Sequence, residues 1–581
     1  MKSLLKIFKL LTPKQLRMCI LIIICMFLGA VLEAVGIGAI YPLINIISDP
    51  LYLQHHDKAR LLADLFRITG IRQFIILCSI LLIVFYFVKN TVVLAENRLQ
   101  IFFSMRIQRQ YTQELYAYYL AQPYLFHVNS NSAVLMRNIN TGAKTTFEGV
   151  LISTLSLITE AVTALVIWGM LFAMDWVTAL VAVGVLMPLV YLITRFFRKR
   201  ISRQGNLQKK CSSECNKWVL QGLGAIKETK VMQKESYFCN QFNCANTEYT
   251  DSERDFLFID KIPKALVELS SVSMLLILII VKIASGAEPV QIVPTLGVLA
   301  LAAVRLMPSL NRIIQLFNTI KFKMPLFNEV FDDFYNIKLH MENEGKNPVE
   351  KKIEKMPFRH ELAVQHLSFS YPSKPEEVLH DVNFEISKGS FVGIIGPSGA
   401  GKTTFVDILL GLLPPVSGQI LVDGRNIYDD ISSWLYNIAY VPQSIYLVDG
   451  TIRENIALGC NEKDISETRI QNVLKMAELY DFVQSLPKKE NTRVGERGAM
   501  LSGGQKQRIG IARALYSTPE VLVLDEATSA LDNETEKAIT ETILKLKGKI
   551  TIISIAHRLS TLEECDFKIR FENGNAYRIE A

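Results

Sequence analysis

Paired cysteine spacing is missing from this 581-residue chain. Its nine cysteines form no disulfide-framework pattern. Cys19, Cys25 and Cys78 fall in apolar stretches, and the rest fit a reducing cytoplasm. Cys211, Cys215, Cys239 and Cys244 have loose spacings and no histidine near them, which argues against a zinc cluster. A small-x-small cleavage site is also missing after the first apolar run, and that run is too long for a signal peptide. Charge is scarce: 20% of residues are charged and 50% are hydrophobic, with a mean hydropathy of +0.24. That balance is high for a soluble protein. The net charge of +7 brings nucleic acid to mind, but the basic residues sit mostly beside apolar runs, where they suit the cytoplasmic face of a membrane. No nucleic-acid partner is expected.

What is there falls into two textures. Residues 1–15 set Lys2, Lys6 and Lys9 among Leu4, Leu5, Ile7, Phe8, Leu10 and Leu11, a short amphipathic helix expected to lie on the membrane surface. Thr12-Pro13 then caps and starts a new helix. Apolar runs at 18–47, 74–93, 149–174, 177–197, 265–285 and 290–310 are each long enough to cross a hydrocarbon core of about 30 Å. Lys14 and Arg17 precede the first run, and Arg195, Arg198, Lys199, Arg200 and Arg203 follow the fourth. The connections at Asp175-Trp176 and Ser285–Pro289 are poor in positive charge, so both termini are expected in the cytoplasm. Residues 48–72 carry Leu61, Leu62, Leu65 and Phe66 at helical spacing and predict a small external helix. The long cytoplasmic connections break near Gln122-Pro123 and Asn129–Asn131, and again near Gly222-Leu223-Gly224. They read as helices that leave the membrane and turn through short helices on which a soluble domain docks. Glu33, Lys89, Glu160, Glu268, Arg305 and Arg312 lie within or at the ends of the spans. Such residues are functional candidates, with interhelical ion pairing or snorkelling as the plain alternative. Lys89, Arg305 and Arg312 are the candidates for an anionic group; Arg305 and Arg312, two turns apart, share a face.

Polar residues 336–358 mark a boundary between a helical domain, 1–335, and an α/β domain, 359–581. In the second domain Gly396–Thr403 reads G-x-x-x-x-G-K-T between an apolar strand and a helix. Backbone N–H groups of such a loop face phosphates, Lys402 reaches the β- and γ-phosphates, and the Thr403 hydroxyl ligates Mg²⁺. Ser398, Gly399, Ala400, Gly401 and the adjacent Thr404 complete the nucleotide candidates. Tyr371 closes a strand as an aromatic suited to stack on adenine or simply to pack. Gln443 follows Ala439–Pro442, Leu501–Gln505 reads LSGGQ, Leu522–Glu526 is an apolar strand ending in two acids, and His557 follows Thr551–Ile555. Two acids at a strand end suit Mg²⁺ chemistry beside a phosphate loop.

Together these motifs, in order over residues 361–572, resemble the nucleotide-binding domain of ABC transporters, and Thr492–Gly498 before LSGGQ resembles the exporter subset. The resemblance implies a polytopic α-helical membrane domain of six transmembrane helices fused to an α/β P-loop ABC ATPase domain. It implies ATP and Mg²⁺ as cofactors and a second copy of the chain as partner, a heterodimer being the alternative. It further implies Tyr371 on adenine, Gly396 and the loop amides on phosphate, and Thr403, Gln443 and Asp525 around Mg²⁺. Ser502, Gly503, Gly504 and Gln505 would hold the nucleotide of the opposite copy. Glu526 would polarise the attacking water, His557 would contact the γ-phosphate, and Asp532 would signal across the dimer. The helical half resembles, on Leu82–Lys89 and Arg305–Ile314, the bacterial lipid-linked oligosaccharide flippase of protein N-glycosylation. That implies a polyprenyl-pyrophosphate glycan as substrate and the bacterial inner membrane as location. Exporters of drugs, other lipids or surface polysaccharide precursors, and an exporter-fold importer, are the alternatives. No protease domain is expected before residue 18, which counts against a peptide exporter.

Overall fold

The computed structural model describes residues 2–39, 43, 46, 66, 71–174, 176–284, 289–343, 354–372, 376–525, 533–555 and 563–580. The expected external helix and the positions of Glu526, Asp532 and His557 lie outside them.

The chain forms two compact units: one holds residues 1–122 and 129–347, the other residues 123–128 and 348–581. The first is helical. Helix α1 (Lys2–Lys9) is followed by α2 (Pro13–Gly38), whose start is tied by a reciprocal cap. The Thr12 amide donates to Gln15 Oε1 at 3.0 Å and the Gln15 amide to Thr12 Oγ1 at 3.4 Å. The expectation for α1 needs correcting. Ile7, Leu10 and Leu11 are buried in protein, Tyr111 donates its hydroxyl to the Leu10 carbonyl, and Lys6 sits 5.2 Å over the Phe331 ring. Ile7, Leu10 and Leu11 are thus covered by protein and not left for a membrane surface.

Helix α3 (Ile71–Leu120) has 50 residues. At 1.5 Å per residue that is about 75 Å, more than twice the hydrocarbon thickness of about 30 Å. A short helix α4 (Tyr124–Asn129) follows, then α5 (Ser132–Arg137), two π-helical stretches, and α6 (Ser153–Met174). The wider π winding leaves carbonyls to be met by other groups; the buried Ser104 hydroxyl donates to Phe147 O at 2.7 Å. Helix α7 (Trp176–Gly224), the short α8 (Ile226–Val231), α9 (Glu235–Ala284) and α10 (Pro289–Asn343) complete the unit. The breaks expected near 122 and 224 are therefore present. The six expected spans fall on α2, α3, α6, α7, α9 and α10. Among the described residues, Pro13–Gly36, Ile71–Leu120 and Ser132–Met170 are long and apolar enough to cross a membrane.

Polar and aromatic contacts knit the extensions of these helices. Buried Arg137 pairs with Glu329 and donates to Ser213 Oγ at 2.5 Å, while Lys209 reaches Glu329 at 2.9 Å. Phe256 stacks on Phe322 with centroids 3.9 Å apart. At Gly205 a Cβ would lie 2.2 Å from Phe322 O, so α7 and α10 approach there by backbone.

The second unit has two sheets. One is antiparallel, in the order β2 (Glu377–Ser387), β1 (Glu361–Ser370), β4 (Ser417–Val422), β5 (Arg425–Asn426). The other orders β10 (Asn575–Glu580), β9 (Phe567–Glu572), β3 (Phe391–Ile395), β8 (Thr551–Ile555), β7 (Val521–Asp525) and β6 (Ile438–Val441). Its strands are parallel except the β9–β10 hairpin. β3, β7 and β8 are continuous apolar runs buried on both faces, as central parallel strands must be.

Candidate nucleotide site

The parallel sheet places the motif residues at one edge. Val441 of β6 is in register with Leu524 of β7, Asp525 with Ile555 of β8, and Ile555 with Ile394 of β3. All four strands end at that level. The phosphate loop leaves β3 there, Gln443 follows β6 by two residues, and Asp525 ends β7. The carboxyl edge of an open parallel sheet is where such folds bind ligands. Glu526 and His557, one and two residues past β7 and β8, lie outside the described residues.

The loop runs from Gly396 into helix α11 (Lys402–Leu409). Gly399 has φ +80°, and a Cβ built on it would meet nothing within 4 Å. The left-handed backbone thus borders open space at a helix N-terminus, a concavity that an anionic phosphate fits. Ser398 and Thr403 are exposed and Ala400 is buried. The Lys402 ammonium donates to the Gly396 and Pro397 carbonyls at 2.6 and 3.0 Å, which holds it across the loop. Tyr371 meets Thr404 Oγ1 at 3.2 Å through its hydroxyl and sets its ring edge-on to Phe369, 5.0 Å away. The aromatic therefore stands beside the phosphate loop as well as packing on the sheet.

Helix α11 is pinned from below. Trp434, fully buried, donates Nε1–H to Leu409 O at 2.8 Å, and Tyr428 donates its hydroxyl to Ile408 O at 2.6 Å and Leu413 O at 2.7 Å. These bonds satisfy carbonyls that the helix end leaves open.

LSGGQ forms the start of α12 (Gly503–Tyr516). Ser502 is the N-cap: its Oγ accepts from Gln505 N at 3.2 Å, and Gln505 Oε1 accepts from Ser502 N at 2.9 Å. Ser502 and Gly503 are exposed and Gly504 half-buried. Gln443 and Gly503 share a cavity of about 580 Å³ with Arg497 and Lys506. No hydrogen bond links Ser502–Gln505 to the phosphate loop among the described residues.

Around Asp525 the structure adds residues that the motifs did not flag. Tyr440 donates its hydroxyl to Asp525 Oδ2 at 3.0 Å, and burial, with Asp525 beside it, keeps that phenol protonated. Asp407, on α11, is pushed up to about 6 by burial and by the Asp525 carboxylate. Its signal was available: five residues after Lys402, an acid stands in a helix otherwise turned to the core. An exposed hydroxyl at Thr403, the Asp525 carboxylate and the Gln443 amide are hard oxygen donors of the kind Mg²⁺ takes.

Two family models match the chain: "ABC transporter" over residues 379–529 and "ABC transporter transmembrane region" over 18–299. The chain carries an exporter-type ABC transmembrane domain fused to an ABC ATPase domain. A solved bacterial Atm1-family ABC exporter with ATP bound aligns at a TM-score of 0.76 and 23% identity, over 97% of this chain and 95% of that one, a likeness of fold. A putative multidrug export ATP-binding/permease protein of Staphylococcus aureus is 40% identical over 42% of this chain and 41% of its own length. A sophorolipid transporter of Starmerella bombicola is 40% identical over 37% of this chain and 17% of its length. An ABC multidrug transporter of Aspergillus fumigatus is 40% identical over 43% and 18%. The chain thus matches less than half the length of these curated relatives.

In the helical domain of this ABC transporter the candidate charges separate. Arg312 is paired: its Nη1 lies 2.9 Å from Glu160 Oε1, joining α10 to α6. Interhelical pairing, the plain alternative, accounts for this contact. Arg312 nevertheless remains 68% exposed, so its remaining donors are accessible. Buried Lys89 holds its ammonium 4.8 Å from the Tyr86 ring, and Tyr86 donates to Gly36 O at 3.2 Å. Lys89 and Arg312 do not touch each other among the described residues, and the Arg305 side chain lies outside them. A further layer went unnoticed in the sequence: buried Gln100 donates to Glu96 Oε1 at 3.3 Å and to Thr159 Oγ1 at 3.4 Å. These residues sit where α3 leaves its apolar run, so hydropathy alone does not mark them.

Proposed function

We propose that this chain is one half of an ATP-driven exporter and that two copies close around two ATP molecules. The observation that carries the reading is the split of the nucleotide machinery within one chain. The phosphate loop, Asp525 and Gln443 converge on one sheet edge, whereas the exposed N-terminus at Ser502 and Gly503 makes no hydrogen bond to the phosphate loop among the described residues. A facing copy would bring that terminus to the phosphates. In this reading Lys402 and the loop amides hold phosphate, and Tyr371 stacks on the base. Thr403, Gln443 and Asp525 would hold Mg²⁺, which neutralises charge developing on the phosphates. Glu526 orients and polarises the attacking water, and His557 contacts the γ-phosphate.

For the cargo we propose a polyprenyl-pyrophosphate oligosaccharide, moved from the inner to the outer leaflet of a bacterial cytoplasmic membrane. Support comes from the exposed Arg312 guanidinium and from Lys89, cations whose charge a pyrophosphate would satisfy away from bulk water. The second reading is an exporter of drugs or another lipid, and it is supported by the likeness to multidrug and sophorolipid transporters.

Leaflet translocation of a fluorescent polyprenyl-pyrophosphate oligosaccharide in proteoliposomes separates them. Wild type should move it with ATP, and Glu526→Gln and Arg305→Ala/Arg312→Ala should not. ATP hydrolysis without movement of this lipid would keep the exporter and discard the cargo. Movement undiminished in the double variant would discard the arginine contact.

A further inference from the structure

One face of α7 carries an arrangement that the nucleotide cycle does not use. A cavity of about 1520 Å³ follows this helix, lined at its apolar end by Leu189, Leu192 and Phe196 and beyond it by Lys199, Arg203 and Lys210. These positions are separated by three, four or seven residues, so they share one helical face. Leu192 and Phe196 are 60% and 79% exposed. Cations enter the lining at Arg195, among the last apolar residues, and continue through Arg198, Lys199 and Arg203.

The charge on this face is uncompensated. No acidic residue lines the cavity among the described residues. Two neighbours on other faces of the same helix are paired, Arg200 with Asp255 at 3.7 Å and Lys209 with Glu329 at 2.9 Å. Arg198, Lys199 and Arg203 form no ion pair among the described residues; Arg195 donates to the Tyr191 hydroxyl at 3.1 Å. On α10, Lys321 is held below its ordinary pKa by burial and then by Arg198, so the field around the face is positive.

The dimensions select an occupant. Leu189 to Phe196 rises about 10 Å, the depth of an acyl segment, and Arg198 to Arg203 about 8 Å more, a headgroup layer. A second copy presenting the same face would set like charges together. We propose that this face binds an anionic phospholipid of the cytoplasmic leaflet, its phosphate among Arg198, Lys199 and Arg203 and its acyl chain along Leu192 and Phe196. Basic clusters flanking a span also arise from the topology rule or from snorkelling, but those need no selectivity among lipids.

Native mass spectrometry of the full chain tests this, with added phosphatidylglycerol or phosphatidylcholine of identical acyl chains and no ATP. Wild type should bind phosphatidylglycerol roughly tenfold tighter. Arg198→Ala/Lys199→Ala/Arg203→Ala should bring the two lipids level. Lys227→Ala/Lys230→Ala/Lys234→Ala, which removes as much charge from exposed positions outside the cavity, should keep the preference. Equal binding by wild type, or equal loss in both variants, overturns the site. Full displacement by inorganic phosphate would show an anion site that ignores the chain. Displacement by a polyprenyl pyrophosphate in wild type would assign the face to that lipid, and overturn the phospholipid. Because binding is read without transport, this test can fail while the translocation assay succeeds, and the reverse.

Discussion

At the scale of single residues, the nucleotide site rests on groups already held in place. Lys402 is buried, and two loop carbonyls fix its ammonium. A charge-assisted bond to phosphate contributes about 1.5–3 kcal/mol. Lys402→Ala should therefore weaken ATP binding by roughly 10–100-fold, measured with a fluorescent nucleotide on the full chain; unchanged affinity would remove the loop from the site. Asp407 gives a pH test. Its folded carboxyl titrates near 6, above the ordinary 3.8, because burial and Asp525 disfavour its charge. The folded state therefore holds a proton that the unfolded state releases, and stability from this group falls as pH rises from 3.8 through 6. Asp407→Asn should raise the unfolding temperature of the full chain at pH 8 and lose most of that advantage only near pH 4, below the folded value and close to the ordinary one. An advantage independent of pH would show that the carboxyl is not held neutral. Arg312 carries a different lesson: its pairing with Glu160 means an incoming anion competes with a carboxylate for the guanidinium.

At the scale of elements, the short helix α4 is the informative piece. Residues 123–128 leave a chain of long helices and group with the ATPase unit. Leu125 packs against its core, and Tyr124 adds to the field on Tyr440, which in turn holds Asp525. The path from α4 to Asp525, the group proposed to hold Mg²⁺, is thus two side chains long. Leu125→Asp should leave ATP affinity within about threefold and reduce ATP-driven transport far more, because a packed apolar contact is lost and no ligand is touched. Loss of both together would mean that Leu125 only supports folding. Helix α8 has the opposite surroundings: Ile226, Val231 and Met232 are 47%, 77% and 64% exposed. A facing copy is the partner that the proposed dimer supplies for them.

At the scale of the whole molecule, the dimer can be tested without knowing the cargo. When wild-type and Glu526→Gln chains are co-reconstituted in equal amounts, activity should fall well below half of the wild-type value, since mixed dimers contain a blocked site. Activity of one half would mean that each chain works alone.

Sequence alone determined a good deal. G-x-x-x-x-G-K-T, LSGGQ and the LVLDE strand require backbone shapes and donors so particular that their order names the ATPase domain. Buried parallel strands and membrane spans are also legible, because both are continuous apolar runs. Local caps followed too, as at Thr12–Gln15 and Ser502–Gln505, since they need only residues three apart. Tertiary structure decided what depends on residues far apart in the chain. It buried Ile7 of α1 and the Leu10 and Leu11 that follow it, and set Tyr111 on the Leu10 carbonyl. It paired Arg312 with Glu160, 152 positions away, and set Asp407 beside Asp525. It turned Leu189–Lys210 from a basic flank into one continuous apolar-to-cationic face. Periodicity tells which side of a helix is apolar; only packing tells whether protein, lipid or another charge meets it.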